Sequence, residues 1–258
     1  NLTAPTAVNV DILPGSDNSI NLGSSTNSWK DIFLDGALFL GGNKFISTSV
    51  TNSMFIGNTG NTANTDVKNT ATGFDAMRFN NSGTFNVANG YAALRANTTG
   101  TNNTAVGANA LLVNTTGSQN TATGTATLAA NTTGNGNSAF GFEALLSNTS
   151  GNNNTALGPD VLITNTTGSE NVGVGSGALY NNNASRNTSV GSQSLYANTT
   201  GSSNTAIGHA SLFSNTSGPQ NTGVGDSSLY SNTTGSNNTA VGYNALLSNT
   251  TGILNTAL

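Results

Sequence analysis

Residue types that do acid–base chemistry are scarce in this chain, and two pairs of them share one spacing. His209, the only histidine, precedes Asp226 by seventeen positions, and Glu143 precedes Asp160 by the same interval. A nucleophile–base–acid set needs an imidazole between its partners, so His209 with Asp226 is the one place where such a set could be built. Two carboxylates about 5–5.5 Å apart hydrolyse glycosidic bonds with retention, which is the chemistry open to Glu143 and Asp160. Both pairs come within reach only if the fold stacks positions that lie one such interval apart. The plainer reading is a pair of solvated side chains in a variable turn, because Ala108, Pro159 and Ser176 occupy equivalent places. On that reading the four side chains are candidate surface contacts only. Without cysteine there are no disulfides and no thiolate metal sites. The run Gly173-Val174-Gly175-Ser176-Gly177 lacks the Lys and the helix that a phosphate loop needs. No Asp recurs as a calcium-binding repeat would require. No catalytic, metal or cofactor site is therefore expected.

The elements that would position these residues come from a repeat. Gly73, Gly90, Gly107, Gly124, Gly141, Gly158 and Gly175 recur at that constant interval, and Gly191, Gly208, Gly225 and Gly242 continue after one 16-residue step. A second column runs Gly83, Gly100, Gly117, Gly134, Gly151 and Gly168, then Gly201, Gly218, Gly235 and Gly252. About eleven copies fill residues 69–254, and Asn255-Thr256-Ala257-Leu258 begins another. Seventeen residues are too few for a helix–turn–helix unit, which needs more than about 30. They suit one coil of a parallel β-roll or β-solenoid with two short strands and two turns. Thr-Ala-Val and Ala-Leu-Leu are the strand candidates. A short helical turn at Ala-Leu-Leu is the alternative, since Ala and Leu favour helix. Asn-Thr-Thr-Gly and Val-Gly-x-Asn are the turns, with both glycines expected at positive φ. Stacked coils rise about 4.8 Å each, so the rod would be roughly 50 Å long.

The columns say what such a coil buries. One is almost wholly leucine: Leu111, Leu145, Leu162, Leu179, Leu195, Leu212, Leu229 and Leu246. The next holds Leu112, Leu146, Tyr180, Tyr196, Phe213, Tyr230 and Leu247. Adjacent strand residues point to opposite faces, so one column would fill the coil and the other would need a partner surface. Three copies, intertwined or side by side, would satisfy that need. Together the two columns are the expected core and trimer seam. The aromatic members could instead stack on sugar rings. The Asn column from Asn97 and Asn114 to Asn249 should form a stacked amide ladder. Its match to the N-glycosylation pattern is read as turn chemistry repeated by the coil.

Composition narrows the partners. Charged residues are 6% and hydrophobic residues 34%, against roughly 25% and 45–50% in ordinary domains. Low hydrophobicity with low charge and strict period implies an ordered repeat rather than disorder. Six scattered Lys and Arg cannot form a phosphate-binding stripe, so nucleic acid is not an expected partner. No run of 18 apolar residues could span a membrane. No signal peptide is visible in Asn1-Leu2-Thr3-Ala4.

Two resemblances follow. The Asn-Thr-Ala-Val-Gly-x-x-Ala-Leu unit resembles the head repeats of trimeric autotransporter adhesins, whose Asn-Ser-x-Ala-x-Gly motif builds a left-handed parallel β-roll trimer. Those heads commonly use shorter coils, so a longer outer segment is expected here. Residues 20–36, with Ala37-Leu38-Phe39-Leu40-Gly41-Gly42 after them, resemble a segment of phage tail fibres. That resemblance implies a small trimeric β-structured neck. With Gly36 as a turn, Ile32–Leu34 and Leu38–Leu40 read as a hairpin. The expected organisation is a neck at 1–50, a transition at 51–68 and the repeat β-roll at 69–258.

The expected function is that of an extracellular or cell-surface homotrimeric fibre segment, a rigid spacer and contact surface for bacterial surface glycan or protein. The first alternative is an ice-binding solenoid, on the regular column Thr104, Thr121, Thr155, Thr188, Thr205, Thr222 and Thr239. The second is a tailspike-like glycosidase using Glu143 and Asp160.

Overall fold

The computed structural model describes Ala37–Leu40, Asn43–Thr48, Met54–Ile56 and all of residues 68–258. The described chain is an all-β parallel solenoid of about eleven 17-residue coils, with no helix among the described residues. Each coil contributes one strand of three residues, such as Thr104–Val106. These strands stack in register from Thr70–Thr72 to Thr256–Ala257, each pairing parallel with the next. The ladder is extended on its first side by Met54–Ile56, which pairs parallel with Thr70–Thr72. Antiparallel strands Asn43–Thr48 and Ala37–Leu40 continue the same sheet. In that first pair Leu38 lies opposite Ile46 and Leu40 opposite Asn43, with a register shift between Leu38 and Phe39. The expected partner strand Ile32–Leu34 lies outside the described residues.

The expectation of two strands per coil is corrected, and so is the helical alternative. The Ala-Leu-Leu segment is a chain of overlapping turns. Ala110 donates its N–H to Gly107 O, and Asn114 donates to Leu111 O. φ is positive at Asn109 (+58°) and Leu111 (+51°) but not at Ala110 between them. Such alternation can propagate neither helix nor strand. Every leucine of the column, from Leu94 to Leu246, sits at φ between +50° and +56°. This left-handed region is uncommon for a non-glycine residue and costs about 1–2 kcal/mol each. Burial offsets it: Leu94 through Leu229 are fully buried, worth roughly 1.5–3 kcal/mol each.

The interior is narrow, and that sets residue size. The middle residue of each strand faces inward and is Ala in most coils. Where Val161 replaces the usual Ala of the facing turn, the neighbouring strand residue is Gly173, whose added Cβ would collide with Val161 Cγ1. Where that facing column holds Ser211 and Ser228, the strand residue is Gly223, and the Ser211 hydroxyl donates to Gly223 O at 3.1 Å. Large-with-small pairing across a core one residue thick keeps every coil the same width.

The two glycine columns have different causes, which corrects the expectation of positive φ at both. Gly208 has φ +126°, and a Cβ there would lie 2.5 Å from Gly225 O. No member of the column from Gly83 to Gly252 is in the left-handed region. Space alone dictates these residues: a Cβ on Gly117 would lie 2.5 Å from Gly134 O and 2.8 Å from Asn131 Nδ2.

Two amide ladders run through the coil. In the expected one, Asn114 Nδ2 donates to Asn97 Oδ1 and Asn131 Nδ2 to Asn114 Oδ1, both at 2.8 Å. The second is the column before each strand. There Asn120 N–H donates to Asn103 Oδ1 at 3.0 Å, and Asn120 Nδ2 donates to Gly134 O at 2.8 Å. Both columns are buried over most of their length, and paired amides make a polar interior tolerable. The first ladder breaks at the 16-residue step, where Asn182 Nδ2 donates to Ala184 O and Asn165 Oδ1 is left without a partner.

Candidate functional site

The strand is where the surface becomes distinctive. Period-2 alternation turns Thr104 outward, Ala105 inward and Val106 outward again. Repetition makes two outward rows, one largely threonine and one largely aliphatic. The second row is exposed at Val106 (36%), Phe140 (40%), Leu157 (49%) and Ile207 (41%). This row was not singled out from sequence as a surface. A signal was available: the inward strand position is restricted to Ala, Gly and Ser, while the outward one ranges over Thr, Asn, Val, Phe, Leu and Ile. Tolerance of size marks the side that is not packed.

The leucine column, Leu111, Leu145, Leu162, Leu179, Leu195, Leu212 and Leu229, is the core of the single chain, and Leu246 near the last coil is partly buried against it. The neighbouring column lies at the surface, half-buried at Leu112, Leu146, Tyr180, Tyr196, Phe213 and Tyr230 and exposed at Leu247. Four of its rings form a ladder. Centroids of Tyr180–Tyr196, Tyr196–Phe213 and Phe213–Tyr230 are 4.8, 5.3 and 5.1 Å apart, with planes within 18° of parallel. Each inner ring is covered on both faces by its neighbours, so Tyr196 and Phe213 offer edges rather than faces. Stacking on a sugar uses the face, and here the rings spend theirs on each other.

No family model, curated protein or solved structure matches this chain.

His209 and Asp226 do meet, with Nδ1 to Oδ2 at 3.5 Å and both side chains about half exposed. Asp226 Oδ1 also accepts the Ser227 hydroxyl at 2.7 Å. The order is hydroxyl, carboxylate, imidazole. A nucleophile is activated by the imidazole in the middle, so this arrangement leaves Ser227 bonded to the wrong group. Glu143 and Asp160 occupy equivalent left-handed turn positions at φ +55° and +58°. Asp160 N–H donates to Phe142 O at 3.0 Å, which stacks one turn on the other. Among the described residues no group of three or more His, Asp or Glu could hold a metal ion.

The first coils carry a charged cluster. Arg78 Nη1 bonds both oxygens of Asp75 at 3.1 Å, and Arg95 Nε lies 3.5 Å from the same carboxylate. Both guanidinium groups rest near Phe79, at 5.3 and 5.2 Å from its centroid. Among the described residues no helix is long and apolar enough to cross a membrane.

Proposed function

We propose that this chain is a structural and adhesive segment of a homotrimeric fibre outside the cell or on a phage-like particle. The observation that carries the reading is the exposed strand face, with its threonine and aliphatic rows running the length of the solenoid. From Phe140 to Val241 the second row is apolar without a break and mostly exposed, and a stripe of this kind marks an interaction surface. The likeness of the repeat to trimeric autotransporter heads, and of the leader to tail-fibre necks, supports the same assignment. The fibre acts by geometry. Strand pairing and the amide ladder through Asn103 and Asn120 tie each coil to the next, and the ladder through Asn97 and Asn114 does so everywhere but at the 16-residue step, which makes a stiff spacer. Threefold repetition of any surface contact multiplies weak binding to bacterial glycan or protein by avidity. Incubation with whole bacteria and with surface polysaccharides tests the adhesive part. Retention without release of oligosaccharide is expected. Released oligosaccharide would replace adhesion by cleavage and return Glu143 and Asp160 to the centre.

A second reading has its own observation. Thr104, Thr121, Thr155, Thr188, Thr205, Thr222 and Thr239 stand outward in one row on a parallel sheet, the arrangement that could order water as ice does. Thermal hysteresis of the purified chain decides it. Phe140 and Leu157, in the neighbouring row, make the face uneven and favour the fibre.

A further inference from the structure

We infer that the outward strand face is the seam at which copies of this chain meet, rather than the aromatic column on the other side of the glycine turn. The inference rests on the fibre reading and names its contact surface.

Four observations carry it. None of the twelve strands from Thr70–Thr72 to Thr256–Ala257 contains a charged residue. Surfaces that stay in water usually carry interspersed charge, and this face has none. Its extent also suffices. Eleven strand steps of about 4.8 Å, with two outward rows roughly 7 Å apart and the reach of their side chains, give on the order of 600 Å² per copy. The exposed Phe142 and Tyr243, two residues beyond the aliphatic row, bring this close to the ~800 Å² per partner of a stable interface.

The third observation selects the partner. Rows with a single short repeat interdigitate with rows of the same repeat, as in a steric zipper. A second copy offers that match over the whole length, whereas a globular surface or a glycan offers it only locally. The fourth is the irregular coil. One residue is missing between Val172–Val174 and Thr188–Val190, yet Val172 pairs with Thr188 and Val174 with Val190 in unbroken register. The loss is absorbed in the turn around Asn183, away from the strand, so both rows pass through it uninterrupted. The aromatic column is the weaker candidate because its rings are already stacked on one another.

The chain has no cysteine, so single introduced thiols report contact directly. Ile207→Cys should give a covalent dimer on oxidation, while Tyr196→Cys and the exposed-turn control Thr234→Cys should stay monomeric on a denaturing gel. The double variant Val190→Lys/Ile207→Lys should lose its oligomeric mass to the monomer while keeping its far-ultraviolet spectrum. Cross-linking through Tyr196 but not Ile207, in a chain that is still trimeric, overturns the seam and leaves the fibre standing. Retention of trimeric mass by the lysine variant also overturns the seam. A wild-type chain that is monomeric overturns both.

Discussion

Replacing Asn131 by Asp changes almost no volume, and its consequences follow from three hydrogen bonds. Asn131 is fully buried. Its Nδ2 donates to Asn114 Oδ1 at 2.8 Å and to Gly134 O at 3.1 Å, and its Oδ1 accepts from Asn148 Nδ2 at 2.8 Å. Aspartate keeps the acceptor and loses both donors. Gly134 O retains Asn120 Nδ2 at 2.8 Å, whereas Asn114 Oδ1 has no other donor. One orphaned buried acceptor costs about 1–3 kcal/mol. The ionised carboxylate also faces two oxygens in a buried site. Burial raises a carboxyl pKa, by up to about 3–5 units, each worth about 1.4 kcal/mol. The folded pKa of the introduced carboxyl therefore lies above its unfolded value of about 3.9, and stability falls as pH rises through that window. Below the window the neutral acid donates its one proton to Asn114 Oδ1 and restores most of the ladder. Urea unfolding followed by circular dichroism should show a loss of about 1 kcal/mol at pH 3 that widens to roughly 4–6 kcal/mol at pH 7. Asn131→Ala should cost about 3 kcal/mol without that pH dependence. A variant matching wild type at pH 7, or a loss that does not change with pH, would refute the ladder as a source of stability.

Other substitutions probe other parts of the coil. Asn183 Oδ1 accepts from Thr166 N, Thr166 Oγ1 and Thr167 N at 2.9–3.0 Å, standing in for the carbonyl that Thr132 O supplies to Thr115 and Thr116 in a regular coil. Asn183→Ala should cost about 1 kcal/mol in urea unfolding and Asn183→Asp much less, since the site is exposed and needs only an acceptor. Ala126 sits at φ +56°, so Ala126→Gly should raise the melting temperature, with a gain of about 1 kcal/mol. Gly117→Ala should destabilise by about 3 kcal/mol despite its unremarkable φ, because the new methyl meets the backbone of the next coil; calorimetry showing no change would contradict the spacing argument.

The period, the turns and the first amide ladder were legible in the sequence because each depends on residue types that only one arrangement uses well. The coil's cross-section was less so. Leu111 and Leu112 read as strand or helix by propensity. Closing so short a coil instead places left-handed residues at Asn102, Asn109 and Leu111, a demand of geometry that leucine does not advertise. Gly117 and Gly107 look alike in sequence, yet one answers to crowding and the other also to φ. The second ladder, through Asn103 and Asn120, hid inside the Asn-Thr-Ala motif, which reads first as a strand start. The exposed aliphatic row was passed over as a surface because hydrophobicity alone cannot tell a core column from a contact face. His209 and Asp226 were placed together correctly by the period, but the period says nothing of the Ser227 hydroxyl that occupies the carboxylate.

The proposed fibre depends on copies of one chain covering a face that a single copy leaves open. Light scattering on the eluting peak measures this without labels. A concentration-independent mass near three times 25.8 kDa is the expected result. A homogeneous monomer at the highest concentration reached would contradict it, leaving the threonine and aliphatic rows in water.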